Sequence, residues 1–285
     1  MSRTVGRRCA QRLVVGVLSV WGLAVGVSCV EIGTSPSEPA AIELSAFPSP
    51  SVVIGDTLRN EAGVIAPIRA IVRNVRGDVI ANAAVRYLYA DVVRDAALSI
   101  DSLSGVVRAL RASTGDARIA ARAGGSLQVL RVLVVTTRPD SIDGGSQSAS
   151  VPVFTTTLPD TGRLRALANT STAFSAVVRH VDSVATVTGV NAWLVRYEVV
   201  TPANPTNDTT KAVYLVDDQG RASVIDTTDA SGNAGRKVRI RATLFPTGAA
   251  TDSVIVRATA TYRGRALKGA PVRYALPVKR GTPLP

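Results

Sequence analysis

The sequence predicts an all-β protein that consists of two β-sandwiches in tandem after an amino-terminal signal segment. Apolar and polar residues alternate in short runs from Ala41 onward, as in strands that bury one face and expose the other. Gly, Asp, Asn and Pro interrupt these runs roughly every 8–12 residues, the turn spacing of sandwiches. After the signal segment, no stretch repeats apolar residues at helical spacing over the length of a helix.

Three runs show the alternation most clearly. Apolar and aromatic residues share one face in 85–89 and again in 193–199, where they occupy the odd-numbered positions. In 237–242 the cations alternate with apolar residues, so one face is charged and the other is apolar. These shared faces assign aromatic residues such as Trp193 and Tyr197 to a core and not to an exposed sugar-binding platform.

Composition divides the chain into five segments. We predict a signal peptide over 1–28, a polar tether over 29–40, a first β module over 41–136, a linker over 137–150 and a second β module over 151–281. The linker is expected to be flexible because it is polar and contains four serines and two adjacent glycines.

The amino-terminal segment predicts export. It combines four arginines, an uncharged apolar run over 13–27 and small residues just before Cys29. A membrane-spanning helix needs about 20 apolar residues, so this run is short for one. The segment GVSC at 26–29 resembles the lipobox of bacterial lipoproteins, although that family usually has an aliphatic residue where Gly26 stands. The resemblance implies lipidation of Cys29 and an outer-membrane lipoprotein; the alternative is ordinary cleavage before Cys29 and a secreted protein.

Charge and cysteine content narrow the classes of partner. The net charge is +12 for the whole chain and +8 without the four signal arginines. Residues 151–285 contain 17 basic and 9 acidic residues, and a cationic surface attracts acidic polymers or anionic lipid. Nucleic acid is excluded as a partner because an exported protein does not meet the genome. Cys29 is the only cysteine after residue 28, so no disulfide is expected within the mature chain.

The excess of cations predicts a candidate polyanion-binding site in the second module. Its members are basic residues of the predicted strands and turns: Arg236, Lys237, Arg239, Arg241, Arg257 and Arg263. Clustering of these residues on one sheet face favours binding of an acidic envelope polysaccharide or lipid. Scattered cations, each beside a carboxylate, favour a structural role instead.

The segment 97–135 resembles the second half of a bacterial immunoglobulin-like domain. It has a turn ending at Gly105, a Val-rich strand, a Gly-x-Ala-x-Ile-x-Ala segment over 115–121 and the Gly-Gly pair 124–125. The first module departs from that family at its third strand, where Tyr87 stands in place of a common Trp. In the second module, 217–242 is similar to the invasin and intimin type of the same fold. The resemblance implies immunoglobulin-like sandwiches in an exported protein.

No residue pattern predicts an active site, a metal site or a cofactor. His180 is the only histidine, and the chain has no Gly-x-Ser-x-Gly elbow. Four aspartates between 217 and 229 have the wrong spacing for an EF-hand and are ordinary turn formers. The sequence therefore predicts a non-enzymatic cell-envelope protein for structural display or adhesion. Its expected partners are the membrane, through a lipid anchor, and an envelope polysaccharide or another surface protein.

Overall fold

The computed structural model describes residues 38–90, 96–113, 116–124, 127–146, 151–154, 169–241, 244–245 and 253–281. The predicted signal peptide and Cys29 lie outside these residues. The described part of the chain contains strands and turns and no α-helix, which confirms the all-β prediction. None of it forms a helix long and apolar enough to cross a membrane.

The first module contains a four-stranded sheet in the order β2-β8-β7-β4, opposite the pairs β1-β3 and β5-β6. Its strands are β1 Ala41–Leu44, β2 Ser51–Val53, β3 Ala70–Arg73, β4 Val85–Tyr89, β5 Leu98–Ile100, β6 Val107–Ala109, β7 Ala117–Ala123 and β8 Leu127–Thr136. Leu58, Ile68, Ile119 and Leu133 are fully buried between these layers. Alternation along β7 and β8 supplies one wall of this core, as expected for a sandwich.

The second module contains two larger sheets, in the orders β10-β20-β17-β13-β15 and β12-β11-β16-β14, with β9 also paired to β11. Its strands are β9 Ser141–Gly144, β10 Val151–Phe154, β11 Phe174–Val181, β12 Val187–Gly189, β13 Leu194–Thr201, β14 Val213–Val216, β15 Ile225–Thr227, β16 Asn233–Ile240, β17 Ser253–Thr259, β18 Thr261–Tyr262, β19 Arg265–Ala266 and β20 Val272–Gly281. Strands β18 and β19 form a small separate hairpin.

Three aromatic rings fill the centre of the second core. Phe174 lies 4.9 Å from Tyr274 and 5.7 Å from Tyr197, measured between ring centroids. The hydroxyl of Tyr197 donates to the Ala234 carbonyl oxygen at 2.7 Å, and that of Tyr274 donates to the Ser175 carbonyl oxygen at 2.8 Å. Burial raises the pKa of both tyrosines above the ordinary value. The core location predicted for Tyr197 is confirmed.

Part of the segment 137–150, which was predicted to be a flexible linker, is a strand. Ser141–Gly144 form strand β9, which pairs antiparallel with β11 from Ser141↔Arg179 to Gly144↔Ala176. Ser, Asp and Gly have low strand propensity, so the local sequence indicates a loop. The free edge of β11 supplies hydrogen-bond partners that the segment alone lacks, and this tertiary pairing makes it a strand.

Candidate functional site

The six cations predicted to bind a polyanion do not share one face. Arg236, Lys237 and Arg239 lie on β16, Arg257 lies on β17 in the other sheet, and Arg263 lies in the turn of the β18–β19 hairpin. Four of the six lie beside a carboxylate: Arg236, Lys237, Arg257 and Arg263. By the criterion of charge placement, this arrangement favours structural roles for these residues.

Arg236, one of the six candidate polyanion-binding residues, lies on the buried face of β16. Its side chain is only 7% exposed, and its Nη1 lies 2.9 Å from Asp226 Oδ1. The same guanidinium donates to the carbonyl oxygens of Gly235 and Ile225. Buried charges of this kind are retained where a carboxylate and carbonyl oxygens surround them. Arg236 therefore joins β15 to β16 and is unavailable to an external ligand.

The next two cations of β16 point outward, as the alternation predicts. Lys237 Nζ lies 3.0 Å from Asp218 Oδ1. Arg239 donates to Thr170 Oγ1 at 3.2 Å and lies near the Gly220 carbonyl oxygen at 3.4 Å. Each of these side chains already has a partner on a neighbouring turn or strand.

The remaining cations also contact neighbours within the protein. The Arg241 guanidinium lies over the Tyr214 ring, 5.9 Å from its centroid. Arg257 Nη2 lies 2.7 Å from Glu198 Oε2 across the β13–β17 pair. The six cations that were predicted to form one site therefore make several separate local contacts.

The aspartates considered as calcium ligands act in turns. Asp217 Oδ1 accepts from the amides of Gln219 and Arg221, and Asp229 Oδ1 accepts from those of Ser231 and Asn233. Within the described ranges, no three His, Cys, Asp or Glu side chains come close enough together to hold a metal ion. These contacts support the interpretation of the aspartates as turn formers.

His180 is held by a carboxylate at the entrance to the second module. Its Nδ1 lies 2.8 Å from Asp140 Oδ2, and the same oxygen accepts from the Val181 amide at 2.9 Å. Burial raises the pKa of Asp140, but hydrogen bonds from Val181, His180 and Arg138 outweigh it and hold this pKa below the ordinary value. The pair fastens the chain before β9 to the end of β11.

An extensive polar site joins the two modules and is centred on Asp56. This carboxylate belongs to the first module and is 6% exposed. It accepts from Tyr262 Oη and Arg263 Nε of the second module, both at 2.9 Å. It also accepts from Arg59 Nε at 3.2 Å and from the Thr57 amide at 2.8 Å. One buried carboxylate therefore holds donors from both modules.

The electrostatics of Asp56 follow from these donors. Burial by itself raises the pKa of a carboxyl group because it disfavours the charged form. The hydrogen bonds from Arg263, Arg59, Thr57 and Tyr262 outweigh burial and hold the pKa of Asp56 well below its usual range. Asp56 is therefore ionised at neutral pH, and its charge is compensated by Arg59 and Arg263.

Further contacts surround Asp56. Arg196 forms a two-point ion pair with Glu61, with Nε–Oε1 at 2.5 Å and Nη2–Oε2 at 2.8 Å. The buried Ser51 hydroxyl donates to the Ala192 carbonyl oxygen at 2.7 Å. A cavity of about 280 Å³ lies between these contacts. Its charged lining groups, Asp56, Glu61 and their arginines, are paired with one another, so the cavity is part of the module contact.

Backbone shape makes this close contact possible. Gly63 of the first module has φ +80°, and a Cβ at this position would collide with the backbone of Arg263 and Gly264. Gly264 also has a positive φ, +74°, in the tight turn of β18–β19. The Arg-Gly turn at 263–264 is visible in the sequence, but its contact with Asp56 is not, because the two lie about 200 residues apart.

We predict that the Glu61–Arg196 pair contributes little to stability. Its side chains are 44% and 48% exposed, and pairs of this kind are typically worth about 0.2–1 kcal/mol because water screens them. Glu61→Gln should lower the free energy of unfolding by that amount, less at high salt, in urea denaturation. Glu198→Gln, which removes a comparable exposed pair within the second module, is the control. A loss of several kcal/mol for Glu61→Gln alone would contradict this estimate.

No protein-family model and no curated protein matches the chain. Among solved structures, it is similar to the Yersinia pseudotuberculosis adhesin InvE at 12% identity and TM-score 0.31, with 86% of this chain and 61% of that chain covered. It is also similar to Drosophila N-cadherin EC1-3 at 12% identity and TM-score 0.28, with 87% and 69% covered. A protocadherin GammaB4 extracellular domain matches at 11% identity and TM-score 0.23, with 82% and 30% covered.

These likenesses are distant, and the chain spans less than two thirds of the length of the protocadherin and InvE structures. The strand pairing and the two separate cores define the architecture directly. Each core lies between β-sheets whose strands alternate buried and exposed residues. The chain is an all-β protein of immunoglobulin-like sandwiches.

Proposed function

We propose that this chain is a non-enzymatic, exported protein of the cell envelope that serves structural display or adhesion. The observation that carries the proposal is the contact centred on Asp56, which joins two sandwiches through buried charge and hydrogen bonds. Such a contact limits the rotation of one module against the other, as a spacer that presents a surface requires. Lipidation of Cys29 would hold the chain at the outer membrane; release as a secreted protein is the alternative.

The direction of the strands supports display away from the tether. The Pro39 side chain lies 3.9 Å from the position that a Cβ on Gly124 would occupy, at the end of β7. Strand β8 then runs from this end to Thr136, whose carbonyl oxygen accepts from Ile54 beside the module contact. In the second module, β13 begins at the contact and runs away from it. The loop after β13 therefore lies at the opposite end from Pro39.

That distal loop, 202–210, is ordered by two asparagines. The Asn204 amide donates to the Val213 carbonyl oxygen at 2.8 Å. Asn207 Oδ1 accepts from the Leu215 backbone amide at 2.6 Å, and Asn207 Nδ2 donates to the Leu215 carbonyl oxygen at 3.0 Å. These bonds cover the edge of β14 and hold the loop in one shape. A preorganised loop loses less entropy when it binds a partner, which suits an adhesion surface.

The alternative of a polyanion-binding second module lacks support because four of its six cations are paired with carboxylates. For the displayed loop, another surface protein fits better as a partner. The exposed side chains of this loop are small, for example Pro205, Thr206 and Thr209.

The anchor is tested by the mass of the amino-terminal peptide from protein in the native membrane fraction. We expect a peptide that begins at Cys29 and carries a diacylglyceryl group. An unmodified amino terminus at or after Cys29, with the protein in the medium, would remove the anchor and leave a secreted protein.

Display is tested with a single introduced cysteine. Thr209→Cys places a thiol on the exposed distal loop, in a mature chain whose other cysteine is Cys29 alone. We expect a membrane-impermeant maleimide to label this variant on intact cells and to leave the unsubstituted chain unlabelled. Labelling that occurs only after the cells are broken would contradict outward display.

A further inference from the structure

The outer face of the β4-β7-β8 sheet in the first module combines apolar and cationic rows. Ala120 on β7 pairs with Leu88 on β4 and with Leu130 on β8, so these residues form one row across the sheet. Val132, two residues along β8, is on the same face. Leu130 is 51% exposed and Val132 is 46% exposed. Two large aliphatic side chains therefore face solvent on a sheet whose other face covers the core.

The adjacent row is cationic. Arg122 on β7 pairs with Arg86 on β4 and with Gln128 on β8, to which its Nε donates at 2.9 Å. Like charges directly opposite each other on neighbouring strands are destabilising. None of strands β4, β7 and β8 contains Asp or Glu. The sheet itself therefore supplies no carboxylate to this arginine pair.

The second module contains the same arrangement with a carboxylate in place. Arg257 on β17 pairs with Arg273 on β20 and with Glu198 on β13. Glu198 Oε2 lies 2.7 Å from Arg257 Nη2 and compensates its charge. In the first module, neutral Gln128 holds the position that Glu198 holds in the second. The row formed by Arg86, Arg122 and Gln128 thus retains positive charge beside exposed aliphatic side chains.

We propose that this face, defined by Arg86, Leu88, Arg122, Leu130 and Val132, lies on an anionic lipid bilayer. Arginine attracts anionic headgroups while its aliphatic stem stays on apolar surface, and exposed Leu and Val side chains enter the boundary of the acyl region. A second copy of the chain is a poorer occupant because its identical face would bring arginines together. A polysaccharide would match the arginines but leave the aliphatic row in water.

The proposal rests on the proposed envelope function, because the anchor at Cys29 places the first module close to a membrane. From Cys29 to the start of β1 at Ala41 the chain has 12 residues, which span at most about 40 Å when extended. A module tethered this closely meets the bilayer at a high effective concentration. A weak affinity of the face for lipid is then sufficient to hold the first module on the bilayer.

The test uses residues 35–285, which form one compact unit without the anchor, so that binding reports the folded surface alone. The probes are vesicles of equal parts phosphatidylglycerol and phosphatidylcholine, and vesicles of phosphatidylcholine only. We expect cosedimentation with the anionic vesicles to exceed that with the neutral ones several-fold and to weaken with salt. Absence of this preference would overturn the proposal, while the mass of the native amino-terminal peptide decides the anchor independently.

A matched pair of double variants locates the binding surface. R86Q/R122Q should weaken binding to anionic vesicles about 25-fold, because each arginine near an anionic surface contributes about fivefold. R257Q/R273Q removes the same charge from the second module and should change binding by less than about twofold. An equal loss in both would show a response to net charge alone and would overturn the proposal.

Two single variants separate the components of the face. Gln128→Glu supplies the missing carboxylate, so it should weaken vesicle binding and leave the circular dichroism spectrum unchanged. Leu130→Ser should also weaken binding, whereas Val184→Ser, at a side chain 78% exposed in the second module, should not. Unchanged vesicle binding by Gln128→Glu and Leu130→Ser, or binding to dextran sulfate in place of vesicles, would overturn the lipid assignment.

Discussion

Replacement of Asp56 by alanine is expected to release the second module from the first. The variant loses the acceptor of Tyr262 and Arg263 and leaves two guanidinium groups without their carboxylate. Removal of one partner from a buried pair costs about 3–5 kcal/mol. We expect about 3 kcal/mol, the lower end of that range, because Arg59 and Arg263 are 25% and 52% exposed.

The fluorescence of Trp193 reports the loss of the module contact in Asp56→Ala. It is the only tryptophan after the predicted signal peptide, and its ring lies 6.0 Å from that of Tyr262 at the module contact. Asp56→Ala should shift its fluorescence to longer wavelength, while the circular dichroism of both sandwiches persists. Small-angle scattering should show a larger radius of gyration. Asp217→Ala removes another Arg-bonded carboxylate in a distant turn and should leave both readings unchanged.

The pH dependence of the contact has a definite sign. Because the pKa of Asp56 is lowered in the folded protein, its contribution is complete above the unfolded value, about 3.9, and is lost as the pH falls below that value. Trp193 emission should therefore stay constant from neutral pH down to about pH 4 and shift only below it. A shift between about pH 5 and 7, where free histidine titrates, would show that another group controls the contact.

Phe174→Ala is expected to cause the largest loss of stability in the second module. Phe174 is completely buried between Tyr197 and Tyr274, so truncation removes contacts on both sides and leaves a void. Substitutions of buried Phe by Ala typically cost about 3–5 kcal/mol. The backbone bonds of the two tyrosine hydroxyls restrict their collapse into the void, so we expect the upper half of that range.

Urea denaturation followed by circular dichroism measures this loss. We expect a separate early transition for the second module, while the first module, which has its own core, unfolds near its original midpoint. Val184→Ala, at a side chain 78% exposed, should change the free energy of unfolding by less than about 0.5 kcal/mol. A similarly small change for Phe174→Ala would show that this core repacks without cost.

Much of the fold was predictable because the alternation that defines a half-buried strand is local. The buried positions 195, 197 and 199 of β13 follow the predicted alternation, as do the outward-facing Lys237 and Arg239 of β16. A turn-forming role for Asp217 and Asp229 was also readable, since Asx turns depend on residues two to four positions away.

The candidate site was less predictable. Arg236 was a candidate polyanion-binding residue, but it is buried beside Asp226, because a charged residue can occupy a core position when a carboxylate meets it there. The polar segment 141–144 became strand β9 only through the edge of β11. In both cases the local structure depends on a contact with a different strand, and the composition of the segment does not identify that strand.

The all-β class and the buried faces of several strands could be read from the sequence. Each of these depends on residues within a few positions of one another. The contacts of Asp56 with Tyr262 and Arg263, and the pairing of Arg122 with Arg86 and Gln128, are visible only in the folded chain. Those pairings depend on strand register and on the docking of one sandwich against another, and therefore on contacts between residues far apart in the chain.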